Sequence, residues 1–174
     1  MSTLSLEEAR EFTEDMYDLD PFDDIDEFEH DKVHEIYRTH PSLCRERLSD
    51  ETCPLLHVLQ YRPSLALVKC VFYAYPQAIT EKDSLEYTPL HMACLHKCSR
   101  EVVEFVAKKY PAACKKGSKY GGAPIDVARQ HEDEEEEYQD IVRFLFKMKP
   151  HVRFDNDTKG SQEDSFQQLV YSNY

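Results

Sequence analysis

"TPLHMACLHKCSREVVEFVAKKYPAAC", residues 88–114, holds two apolar patterns of helical period separated by a short break, and ends just beyond Tyr110-Pro111. Thr88 suits an N-cap, and Pro89 suits the first helical position, where a missing N–H costs nothing. Leu90, Ala93 and Cys94 make an i, i+3, i+4 stripe whose small members let a neighbouring helix approach closely. The stretch from Lys97 to Arg100 predicts the turn. A second helix, Glu101 to Lys109, gathers Val102, Val103 and Val106 on one face and stops at Pro111, because a proline disfavours helical geometry in the residue before it. Such a hairpin cannot hide both faces alone, so the pattern demands neighbours of its own kind.

The chain supplies them. Displaced by 35 residues, Pro54, Pro89 and Pro124 coincide, followed by Leu55, Leu90 and Ile125 and then by Val58, Ala93 and Ala128. Val68 meets Val103 and Val71 meets Val106, while His40-Pro41, Tyr75-Pro76 and Tyr110-Pro111 align in series. In the last copy Ile141, Val142 and Leu145 follow Val102, Val103 and Val106 by 39 residues, so four residues have entered at the acidic run 132–137. The opening stretch is therefore one copy of about four.

The motif "DSLEYTPLHMAC" followed by "EVVEFV" resembles the ankyrin repeat, whose signature T-P-L-H-x-A is matched by Thr88, Pro89, Leu90, His91 and Ala93, with Asp83 at the loop position. The copy at 123–149 has Asp126 in place of the motif histidine and Gly121 at the loop glycine, the copy at 53–79 has Cys53-Pro54-Leu55-Leu56, and the first copy keeps only its second helix, Asp31 to Thr39. Two departures stand out: the period is two longer than the typical ~33, and Tyr-Pro replaces the usual glycine after the second helix. The resemblance implies an all-α stack of about four helix-turn-helix repeats over 31–149, with finger loops near 45–52, 80–87 and 115–122. It also implies a concave surface of loop tips and first helices that grips another protein, with no cofactor and no metal. The alignment places Leu85, Glu86, Tyr87, Lys119 and Tyr120 on the loops and His57, Gln60, Tyr61, Met92, Leu95 and His96 on the first helices of that surface. Tyrosines suit such a surface, since one ring offers apolar area and a hydroxyl.

Charge divides the 174 residues differently. Residues 1–30 carry twelve acids against Arg10 alone, leaving only −2 of the net −13 for the rest. Phosphate would be repelled by such a chain, which argues against a nucleic-acid binder. Ser5 with Glu8 forms a capping box ahead of a predicted acidic helix over 6–17, with Leu6, Ala9, Thr13, Met16 and Tyr17 on one face. Beyond it Phe22, Ile25 and Phe28 alternate with acids, and the whole of 1–30 reads as an acidic arm or cap on the first repeat. The alternative to a binding stack is a regulator whose acidic segment is the active element, with the repeats as holder. The tail, 150–174, loses the period; 155–165 reads as disordered and "SFQQLVY" as a docking or linear motif.

No apolar run approaches the roughly 20 residues of a membrane span, and the acidic N-terminus does not read as a secretory signal. The expectation is an intracellular, cytoplasmic or nuclear monomer that contacts neither membrane nor nucleic acid. The six cysteines fall within helical patterns and read as reduced, buried thiols. His91, Cys94, His96 and Cys98 are zinc-type ligands within eight residues, but no C-x2-C pair accompanies them. His34 and His40 are six apart, where a metalloprotease helix needs four, and the G-x4-G of Gly117 and Gly122 is followed by Ala123-Pro124 where a phosphate loop needs Lys and Ser or Thr. Lys108, Lys109, Lys115, Lys116 and Lys119 form a basic cluster that reads as a solvated helix end, or as a site for an acidic peptide. No nucleophile, base and orienting group assemble at any supported spacing, so an enzyme is not expected.

Overall fold

The computed structural model describes residues 4–22, 29–48, 51–120, 122–131 and 136–148, and all regular structure among them is helical. In chain order the α-helices are α1 (Leu6–Tyr17), α2 (His30–Thr39), α3 (Pro54–Val58), α4 (Leu65–Ala74), α5 (Pro89–Leu95), α6 (Arg100–Lys109), α7 (Pro124–Arg129) and α8 (Glu136–Met148). A 3₁₀ turn, Leu59–Tyr61, continues α3, and others at Pro41–Arg45, Pro76–Thr80 and Pro111–Lys115 follow α2, α4 and α6. Each of these last three starts on a proline after a residue that has left helical geometry (His40, Tyr75 and Tyr110, φ −124, −142 and −138). The Tyr-Pro pairs thus stop the helix and start a tighter turn, in line with the restriction a proline places on its predecessor.

The first helices end by another device. Lys97 adopts φ 54, the N–H of Cys98 reaches the Ala93 carbonyl at 3.0 Å, and the chain leaves α5 through a left-handed cap normally given to glycine. Arg62, 35 residues earlier, has φ 49. Ser64 then caps α4 by accepting the N–H of Leu67, whereas the start of α6 is capped from outside, by Glu137 Oε1 accepting the N–H of Arg100 at 2.7 Å.

Each short helix packs on the longer one that follows it: α3 on α4, α5 on α6, α7 on α8. Successive first members also touch, α3 with α5 and α5 with α7, as do successive second members from α2 through α4 and α6 to α8. One apolar core runs between the two layers from Ala9 to Leu145, and Val68, Val71, Val102, Val103, Val106, Ile141 and Leu145 are all buried in it.

Helix α1 belongs to this core. Its capping box closes as the sequence predicts, with Ser5 N–H donating to Glu8 Oε2 at 2.8 Å and Glu8 N–H donating to Ser5 Oγ at 3.3 Å. Ala9, Thr13 and Tyr17 are buried at i, i+4, i+8 and Met16 is half-buried, while Leu6, which shares the expected face, stays exposed. The Tyr17 hydroxyl sits 2.6 Å from that of Tyr37 on α2, and Arg10 clamps Glu46 with two bonds of 2.9 and 3.0 Å. The acidic character of this segment faces outward, on Glu7, Glu8, Glu11, Glu14 and Asp15. Ile25, Phe28, the insertion at 132–135 and the whole tail from 149 lie outside the described residues.

Candidate functional surface

Three loops precede the short helices at the period of 35. The first is closed by Leu48 N–H to Thr52 O (3.1 Å) and Glu51 N–H to Leu48 O (2.9 Å). In the second, Asp83 N–H donates to Tyr87 O and Glu86 N–H to Asp83 O, both at 3.1 Å, while the Asp83 carboxylate accepts the N–H groups of Leu85 (2.9 Å) and Tyr87 (2.7 Å). One aspartate thus braces its own loop, the usual work of a short acidic side chain at a turn. The third is closed by Ser118 N–H to Gly122 O at 2.9 Å. Glu51 and Glu86 adopt φ 66 and 63; the next member of that series in the sequence is Gly121.

His91 ties loop to helix and loop to loop. Its Nδ1 accepts the N–H of Thr88 at 3.2 Å and lies 2.9 Å from Thr88 Oγ1, which leaves the proton on Nε2, donated to the Gly122 carbonyl at 3.2 Å. Burial pushes its pKa down and keeps the ring neutral. Asp126, at the same point of α7, accepts the N–H of Ala123 at 2.9 Å. It therefore caps α7, in the place that His91 holds on α5. The second and third loops are joined directly as well, by Lys119 N–H to Leu85 O at 2.9 Å.

Of the residues expected on a contact surface, Leu85, Glu86, Tyr87, Lys119 and Tyr120 come together on these two joined loops. Glu86, Lys119 and Tyr120 are exposed, the last by 47%. Leu85 is half-buried, and Tyr87 turns inward to stack on His91, with ring centroids 5.5 Å apart. Gln60 and Leu95 are half-buried.

The remaining four, His57, Tyr61, Met92 and His96, are buried, which corrects their assignment to an exposed first-helix face. The N-terminal segment is what covers three of them. Tyr17 lies over His57 with ring centroids 5.0 Å apart, Tyr61 donates its hydroxyl to the Leu19 carbonyl at 2.7 Å, and Phe22 packs on His96 at 5.0 Å. Met92 is enclosed in the common core. Burial, then the positive charge of Arg62 and His131, brings His96 down to about 4. The described part of the acidic segment thus reaches α2, α3 and α5, and makes none of its contacts with the lysines of 108–119.

Those lysines do not form one patch. Lys108 and Lys109 stand on the outer side of α6, Lys116 lies over the Tyr110 ring at 4.8 Å, and Lys119 is in the third loop. The outward residues of the second helices lie outside the expected surface of loop tips and first helices. Tyr73 is 62% exposed on α4; Phe105 on α6 meets Phe72 edge-on at 5.5 Å and Tyr73 at 6.4 Å. The signal was present as Lys69 with Tyr73 and Phe105 with Lys109, each four residues apart and hence on one helix face.

Burial holds the Cys98 thiol up at about 12 and the Cys94 thiol well above its usual value, and Cys98 Sγ donates to the Leu59 carbonyl at 3.2 Å. The six cysteines form no disulfide. Among the described residues no group of three or more His, Cys, Asp or Glu could hold a metal ion, and no helix is long and apolar enough to cross a membrane. No known family profile matches the chain, and no curated protein is similar to it.

Proposed function

We propose that the chain is a non-enzymatic protein-binding module: an ankyrin-like stack that works inside the cell and contacts another protein through the ridge formed by its second and third loops. The recurrence of helix starts, left-handed caps and loop closures at 35 residues supports the ankyrin-like reading. So does the pairing of His91 with the following loop. The observation that carries the function is the backbone bond between Lys119 and Leu85, which locks two loops side by side. A surface fixed in advance loses little freedom when a partner arrives, and that freedom is a main cost of association. Glu86, Lys119 and Tyr120 stand out from it, giving an aromatic anchor between opposite charges.

The test is affinity purification with the full chain, followed by titration of whatever is recovered against Tyr120→Ala and Lys119→Glu. At least a tenfold loss is expected in one of them with an unchanged melting temperature. Parent-like binding by both, together with loss of binding in Glu11→Lys/Glu14→Lys on the outward side of α1, would transfer the activity to the acidic segment.

A further inference from the structure

We propose a second docking face on the outside of α4 and α6, built to hold an acidic segment of another protein in which carboxylates alternate with aromatic or aliphatic residues. Its floor is the edge-on pair Phe72 and Phe105, flanked by the exposed ring of Tyr73. Lys109 Nζ lies 5.3 Å from the centroids of Phe72 and Tyr73 and 5.6 Å from that of Phe105, and Lys69 Nζ lies 5.9 Å from Phe105. An ammonium over a ring face is attracted to the ring quadrupole, so the rings hold both lysines beside an apolar strip.

Charge identifies the occupant. In a chain of net charge −13, Lys69 and Lys109 make no ion pair with any described residue. The carboxylate nearest them in sequence on α6, Glu104, is already held by Arg100 at 2.8 Å and Lys108 at 2.7 Å. Glu101 is exposed two turns of helix before Lys109. Two uncompensated cations at the edges of an aromatic strip are complementary to carboxylates spaced around an apolar side chain. An anionic bilayer fits less well, because the lysines lie across the rings instead of framing a protruding wedge. This face lies on the second helices, apart from the loop ridge, and stands or falls independently of it.

The experiment uses the full chain and a fluorescein-labelled 15-residue peptide of alternating acidic and Leu or Phe residues. Its controls are the same peptide with lysines for acids, and vesicles of phosphatidylserine and phosphatidylcholine. The acidic peptide is expected to bind at least tenfold more tightly than the basic one at low salt, and to weaken as salt screens the contacts. Lys69→Glu/Lys109→Glu should cut that affinity at least tenfold and Tyr73→Ala at least fivefold, with melting temperatures close to the parent. Tyr120→Ala on the loop ridge should change it less than twofold. The proposal is overturned if the two peptides bind alike, if the double variant binds like the parent, or if Tyr120→Ala is as damaging as Tyr73→Ala. Binding to vesicles without binding to the peptide, or a dimer that Tyr73→Ala dissolves, would overturn it in favour of a membrane or a second copy.

Discussion

Replacing His91 by alanine removes a side chain that is fully buried and bonded at both ends. The N–H of Thr88 is then left without its acceptor in a residue that is itself 0% exposed, and an orphaned buried donor costs about 1–3 kcal/mol. The Gly122 carbonyl loses one of its two donors but keeps the Ser118 N–H at 2.9 Å and is half-buried, so its share is about 0.5–1 kcal/mol. Loss of the ring beneath Tyr87 leaves a cavity whose cost brings the total to about 3–4 kcal/mol, within the range of large-to-small core substitutions. His91→Asn divides this sum. Its amide oxygen can accept the Thr88 N–H much as the Asp126 carboxylate accepts that of Ala123, but it is too short to keep the bridge to Gly122. It should therefore recover about 1–2 kcal/mol of the loss. Urea unfolding followed by circular dichroism measures both variants, and hydrogen exchange at Ser118, whose N–H bonds Gly122 O, reports the loosening of the third loop. A loss below about 1.5 kcal/mol for alanine, or an asparagine no better than alanine, would refute the claim that this imidazole joins helix to loop.

Three further outcomes follow from the same geometry. Val103→Ala, at a site with 0% exposure, should cost about 1–3 kcal/mol in the same urea assay, and an effect below about 0.5 kcal/mol, the level of ordinary surface changes, would contradict its place in the core. Glu51→Gly should stabilise by about 0.5–1 kcal/mol, because φ 66 strains a residue with a Cβ; a lower melting temperature would show that the strain is illusory. The depressed pKa of His96, about 4 against 6.5 for a free histidine, means that the unfolded chain takes up a proton between those values while the folded chain does not. Stability due to His96 is thus full above pH 6.5 and falls as pH drops toward 4, by at most about 3 kcal/mol. His96→Gln should flatten this part of the stability profile, and an unchanged profile would remove His96 as its source.

Much of the fold is legible in the sequence because its cause is local. The prolines at 54, 89 and 124 set helix starts, the Tyr-Pro pairs set helix ends, and Ser5 with Glu8 sets α1, each through backbone geometry within four residues. The valine spacing of α4 and α6 marks the buried face for the same reason, since 3.6 residues per turn fixes which side chains share a side. What the tertiary structure alone decided is which faces stay open. A helix pattern says that Tyr61, Met92 and His96 are available for contact but not with what, and the answer for Tyr61 and His96 lies some 40 and 74 residues away, at Leu19 and Phe22. Nothing in the acidic stretch that contains those two announces its destination, because a chain segment crossing helix ends has no period of its own. The aromatic strip of α4 and α6 was hidden likewise: Phe72, Tyr73 and Phe105 are ordinary apolar residues until the layer they help build leaves one edge of them facing water, with lysines held beside it.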